Sequence, residues 1–275
     1  MSVTQSLQQL KSSLKASDRM PLVFLGHGSP MNAIEDTEYS RSWINLGRAL
    51  PRPQAILVVS AHWMTRGSTL VDVSAMPRTI HDFGGFPQAL YNETYPAHGN
   101  PQLAREVVSL LASHHAQEDD TWGLDHGAWT VLKYLYPDAD VPVFQLSIDM
   151  TKGLNWHLET GQLLSDLRDR GVLILGSGNV VHNLRALDWA QGRPKDWATE
   201  FDTLFTDRLS ERDFGALTNR PQLGALLHKA HPTLDHYIPT LTIAGASDAR
   251  DQLTFMNNSF DLGTLSMRSF VFHAM

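Results

Sequence analysis

The chain has no cysteine among its 275 residues. That single absence excludes disulfide scaffolds, thiolate nucleophiles and Cys-based zinc or iron–sulfur sites. Any metal must then be held by His, Asp, Glu and water, a ligand set that suits Fe(II), Mn(II) or catalytic Zn(II). Long apolar runs are also missing. No stretch approaches the ~20 residues a membrane span needs, so no membrane partner is expected. Runs of Lys and Arg are absent and the net charge is −7, which argues against nucleic acid or another polyanion. The glycine turns at 26–28 and 176–178 lack the dinucleotide-binding spacing. Neither a His-Glu-x-x-His helix nor a Gly-x-Ser-x-Gly elbow occurs, so a zincin protease or a serine-hydrolase elbow is unsupported.

What remains is an ordinary core-forming composition, 42% hydrophobic, spread without repeats or linkers. We expect one catalytic domain over residues 1–275, cytoplasmic, preceded by a helical extension over 1–19. Leu7, Leu10 and Leu14 fall at i, i+3, i+7, and the first seventeen residues lack the apolar centre of a secretory signal.

Continuous apolar runs over 21–25 and 54–60 read as strands buried on both faces, with a helix over 38–50 between them. Further strands are expected over 69–73, 141–147, 171–176, 241–246 and 263–272, the last antiparallel at an edge. Helices are expected over 101–113, 128–136 and 154–170, and through much of 197–227. The 79–87 stretch, with Gly84-Gly85 and Pro87, reads as a loop. Strands alternating with helices predict an α/β sandwich around a central, largely parallel sheet.

Thirteen histidines are the chemical resource, and three of them recur in one setting. His27 follows an apolar run and a glycine, His62 follows 56–61, and His182 follows a strand and a Gly-Ser-Gly turn. Each lies at or just beyond a strand's C-terminal end, where open α/β sheets build their sites. Imidazole is the commonest ligand for mid-series divalent metals, so this convergence suggests a mononuclear metal centre. His126 sits at a loop–helix junction between Trp122 and Trp129, away from those strand ends. Taken alone, His231 and His236 read equally well as surface residues. His81 is a candidate for a pocket mouth, and Trp63 for a pocket wall. His98, His114, His115, His157, His228 and His273 have exposed-helix, loop or terminal contexts.

Together, Gly26-His27-Gly28-Ser29-Pro30, Ser60-Ala61-His62-Trp63 and His81-Asp82-Phe83-Gly84-Gly85-Phe86-Pro87 resemble motifs of a known family. Asp125-His126-Gly127, Ser177-Gly178-Asn179-Val180-Val181-His182-Asn183 and Asp235-His236-Tyr237 extend the likeness. The chain resembles the 4,5-DOPA dioxygenase extradiol family, the LigB-like class III extradiol ring-cleaving dioxygenases, from about Met20 to the C-terminus. The resemblance implies one divalent metal per chain, with His27, His62 and His236 as ligands. It implies His182 beside the metal, as a fourth ligand or an acid–base residue, and His126 as a catalytic acid–base histidine. Fe(II) is then expected for catalysis and Zn(II) is plausible as the bound metal. The implied partners are a small catechol, such as L-DOPA, and O2, in a monomer or small homo-oligomer.

Which groups hold an amino-acid end of the substrate is not written in the motifs; His81, His231, Tyr237 and Arg185 are the candidates. Two other readings share the histidines: a zinc-dependent hydrolase and a non-catalytic, Memo-like metal-binding interaction protein.

Overall fold

The computed structural model describes residues 19–190 and 193–274; the helix expected near the N-terminus lies outside the described residues. The strands in chain order are β1 (Leu22–Gly26), β2 (Ala55–Thr65), β3 (Thr69–Asp72), β4 (Ala116–Asp119), β5 (Val143–Asp149) and β6 (Val172–Gly178). Then come β7 (Asp251–Met256), β8 (Phe260–Asp261), β9 (Leu265–Ser266) and β10 (Ser269–Ala274). The helices are α1 (Glu38–Ala49), α2 (Gln88–Tyr91), α3 (Pro101–Leu110), α4 (His126–Leu135) and α5 (Leu154–Leu164). They continue with α6 (Asp196–Ser210), α7 (Phe214–Thr218), α8 (Arg220–Ala230) and α9 (Ile238–Gly245).

An eight-stranded sheet has the order β4-β3-β5-β2-β6-β1-β10-β7. Its centre, β5-β2-β6-β1, is parallel, and β10 and β7 continue it antiparallel. This is the α/β sandwich with a largely parallel sheet that the alternating pattern predicts. β1, β5 and β6 are buried at every position, as strands covered on both faces must be. Alternate residues feed two cores. Leu22, Phe24, Leu57 and Ile174 pack with Phe201, Phe205, Leu241 and Ile243 on one face. Val23, Leu25, Ile56 and Val58 pack with Trp43, Leu46, Ala128 and Leu132 on the other.

Four differences from the expected elements have physical reasons. The 241–246 stretch is not a strand but part of α9, whose eight residues are all buried. A short element apolar on every side carries no period to distinguish helix from strand. The 263–272 stretch splits into β9 and β10. β10 is antiparallel as expected but lies inside the sheet, because β7 covers its outer side. β4 and β7 alternate only weakly between buried and exposed positions and left no clear signal. Finally, β1 and β2 are joined through α1 but are not neighbours, since β6 lies between them.

Parallel strands end on the same side of a sheet. The register pairs Gly26 with Gly178 and Ser60 with Ser177, so the ends of β1 and β6 and the far half of β2 converge on one rim.

Candidate metal centre

His27 leaves β1 with its backbone N–H donated to the Gly178 carbonyl at 3.0 Å. His62 stays within β2, which is longer than its apolar run suggests and changes register against β5 between Val59 and Met64. His236 arrives from the segment before α9. Its carbonyl accepts the Asn179 N–H at 3.1 Å, and a Cβ on Gly178 would come within 2.3 Å of that oxygen. Only glycine allows the end of β6 to lie so close to the His236 backbone.

These three imidazoles form one group, with a ring nitrogen from each within 4.8 Å of the others. His27 Nε2 and His62 Nε2 are 3.2 Å apart. The opposite nitrogens are all engaged. Ser177 Oγ donates its one proton to the Gly127 carbonyl, so at 2.9 Å it can only accept from His27 Nδ1. Asp235 Oδ2 accepts from His236 Nδ1 at 2.5 Å. His62 Nδ1 faces Asp82 Oδ2 at 3.3 Å. His27 and His236 therefore carry the proton on Nδ1 and present a bare Nε2 lone pair, and the Asp82 carboxylate favours the same tautomer in His62. Outer partners of this kind orient the imidazoles of metal sites.

With both protons on Nδ1, the two Nε2 lone pairs 3.2 Å apart would be satisfied by a cation between them. A proton does not serve, because burial, then the neighbouring imidazoles, hold His27 and His236 well below the usual histidine range. Burial, followed by the charge of His126, does the same to His62. A divalent ion with metal–nitrogen distances of ~2.0–2.1 Å would set adjacent nitrogens ~3.0–3.4 Å apart. The spacing and the donor set both fit such an ion.

His126 is closer to this group than its place at a loop–helix junction suggested: its ring lies 3.9 Å from that of His62 and 5.7 Å from that of His27. The position before it explains why. Asp125, fully buried, caps α4 by accepting from Ala128 N at 3.1 Å, and Ser60 Oγ of β2 donates to it at 2.6 Å. The helix start is thereby bound to the strand that carries His62. His182 stacks flat on His236 at 3.4 Å. It groups with Asp235 and His236, not with His27 and His62. Burial lowers its pKa to about 4.

The residues suggested for a substrate pocket divide. His81 stands on the rim with its Nε2 against the Glu93 carbonyl at 2.9 Å and its ring near Phe83, Tyr91 and Trp129. Phe83 in turn meets His126 edge-on at 5.5 Å, so this loop forms an aromatic border to the histidines. Tyr237 and His231 do not line a pocket. Tyr237 is fully buried between Phe201 and Phe205, and its hydroxyl donates to the Leu217 carbonyl. His231 is buried beside it, holding the Val180 carbonyl at 2.8 Å. Tyr237 can serve as core because its one polar atom finds a backbone partner, whereas His231 satisfies Nε2 alone and leaves Nδ1 buried without one. Arg185 is exposed. Trp63 is buried against Trp122 instead of walling a cavity. Among the histidines set aside, His114, His157 and His273 prove buried instead of exposed.

The sequence reading passed over Asp82. In the loop its neighbour His81 drew attention, yet it is the carboxylate that reaches the histidines. Its Oδ1 accepts the His126 backbone N–H at 2.8 Å and its Oδ2 accepts from His126 Nδ1 at 2.9 Å. Burial works to raise this carboxyl, but the His126 hydrogen bond and the charges of His126 and His62 outweigh it and hold it below the ordinary range. An acid beside a histidine in a loop that neither period explains was the available signal.

The chain is similar to known proteins in both sequence and fold. The model of the catalytic LigB subunit of aromatic ring-opening dioxygenase matches residues 21–272. The chain is 49% identical over 266 residues to the 4,5-DOPA dioxygenase extradiol of Escherichia coli (strain K12), covering 94% of this chain and 97% of that protein. It is 36% identical over 255 residues to the 4,5-DOPA dioxygenase extradiol of Beta vulgaris, covering 90% and 95%. The crystal structure of an uncharacterized protein from Escherichia coli K12 matches with a TM-score of 0.80 at 43% identity, covering 92% of this chain and 99% of that one. The chain is thus an enzyme that belongs to the LigB family of aromatic ring-opening dioxygenases.

Proposed function

We propose that this enzyme opens a catechol ring by extradiol cleavage with O2, as in 4,5-cleavage of L-DOPA, at one divalent metal per chain. The observation that carries the reading is the convergence of ring nitrogens from His27, His62 and His236, with Ser177, Asp82 and Asp235 behind them. Those three residues would hold the metal. Fe(II), when bound, supplies the electron transfer between catechol and dioxygen that ring opening requires. Zn(II) would occupy the same nitrogens in a purified sample without that chemistry.

The chain's own groups handle protons and orientation. His126 has Nδ1 committed to Asp82, so its Nε2 is free to accept the proton of a catechol hydroxyl, and Asp82 stabilises the imidazolium that forms. His182 is assigned the return of a proton, standing beside His236 as His126 stands beside His62. The Phe83 loop supplies an aromatic border for the ring, with His81 at the mouth. We take the protein to act in the cytoplasm as one catalytic domain, as a monomer or small homo-oligomer.

Anaerobic loading with Fe(II), followed by oxygen uptake over a panel of catechols, tests the reading. One O2 consumed per ring and a yellow semialdehyde, or its cyclised product, are expected. Turnover at the same rate with Zn(II) under anaerobic conditions would overturn it.

A further inference from the structure

Asp82 stands in an unusual position: one carboxylate faces two imidazoles that the proposed reaction uses differently. Oδ2 accepts from His126 Nδ1 at 2.9 Å and lies 3.3 Å from His62 Nδ1, while Oδ1 accepts the His126 backbone N–H at 2.8 Å. The two rings that share it are 3.9 Å apart. His62, Asp82 and His126 bring three potential ligand atoms within 4.8 Å of one another. Both carboxylate oxygens thus bear on His126, one on its backbone and one on its ring.

We propose that Asp82 is the positioning residue of the centre, setting His62 for the metal and His126 for proton transfer through the same oxygen. The inference rests on the function proposed above, which uses Asp82 at each ring separately, and adds that one oxygen joins the two roles. A carboxylate oxygen has only lone pairs to offer, so a ring nitrogen beside it is stable there only with a proton. His126 Nδ1 therefore keeps its proton through a hydrogen bond, His62 Nδ1 is favoured to do so by the carboxylate 3.3 Å away, and both Nε2 atoms are left with their lone pairs. His27 and His236 obtain the same result from separate partners, Ser177 and Asp235. For His62 and His126 it depends on one side chain, so metal binding and proton transfer are joined at Asp82.

The test uses the full chain with Asp82→Asn, Asp82→Glu and Asp82→Gly. An amide of the same shape presents either an N–H to the two Nδ1 atoms or a single weaker acceptor, and at least one ring loses its enforced tautomer. Metal affinity is read by competition titration with Co(II) or Zn(II), which does not depend on catechol turnover. Outer-partner loss typically weakens affinity or activity ~10–100-fold, and reversing the tautomer of a catalytic imidazole costs about 10⁴-fold in turnover. Asp82→Asn should therefore lose about 10–100-fold in metal affinity. At saturating metal it should lose more than that in kcat, with KM for catechol little changed. Added formate should restore part of the kcat of Asp82→Gly, which a purely structural role would not allow.

A loss in affinity alone, a loss in kcat alone, or no rescue by formate would each overturn the shared role. If the parent bound metal but cleaved no catechol, the proposed function would fail. The affinity comparison would still report on His62.

Discussion

The ring of His62 lies where a side chain on Gly127 would have to go. A Cβ at Gly127 would come within 2.9 Å of His62 Cδ2 and 2.5 Å of Ser60 Oγ. The second residue of α4 is thus glycine because helix and strand meet there through a candidate metal ligand. Gly127→Ala should still allow the helix to form, since alanine favours it by about 1 kcal/mol, while pressing on Ser60 Oγ and the Ser60–Asp125 bond. It should displace His62 and weaken Zn(II) or Co(II) binding by ~10–100-fold. Competition titration beside a thermal melt decides; unchanged affinity would refute the contact's importance.

Metal content and turnover should separate among the histidines. His27→Ala, His62→Ala and His236→Phe each remove a converging Nε2 and should lose the metal by elemental analysis. His126→Phe should keep metal and catechol binding while turnover falls ~10²–10⁴-fold, the usual contribution of a general acid–base group. The prediction fails if His126→Phe is metal-free or as active as the parent.

Continuous apolar runs, buried on both faces, exposed both the fold and the rim to sequence reading. His27, His62 and His182 could be placed because each follows such a run. His236 could not, since nothing before it has a period, and only resemblance raised it. Asp82, Ser177 and Asp235 act through side-chain hydrogen bonds to residues from 1 to 150 positions away, and periodicity does not register such contacts. Tyr237, a candidate for the substrate's amino-acid end, instead donates its hydroxyl to the Leu217 carbonyl within the core. α9 was hidden because it is buried all round.

Acid should destabilise the protein by a route separate from the metal. Burial lowers His157 to about 4 and His231 to about 3. The unfolded chain protonates such groups below about 6.5, whereas the folded one does not until pH 3–4. In that window the unfolded state binds more protons, so stability falls as pH drops, by up to ~1.4 kcal/mol per unit for each group. Above pH 7 the effect vanishes. Denaturant melts from pH 7 to 4.5 should show the decline, and His157→Gln should make it shallower by about one proton. An unchanged slope in that variant would show that His157 titrates normally in the folded state.

Tyr237 offers the sharpest separation of core from site. It directly follows His236, yet its hydroxyl donates to the Leu217 carbonyl and its ring is sealed between Phe201 and Phe205. Removing that hydroxyl leaves a buried carbonyl without its partner, at a cost of about 1–3 kcal/mol, and removes no group that a substrate could touch. Tyr237→Phe should therefore lower the denaturation midpoint clearly. Metal affinity and KM for catechol should stay within about twofold of the parent, since a core substitution of this size leaves the packing shape in place. His81→Ala, on the rim, should show the reverse, with KM raised and the midpoint little changed. Equilibrium denaturation and steady-state kinetics on the two variants make the comparison. A raised KM with unchanged stability in Tyr237→Phe would return that residue to the substrate pocket.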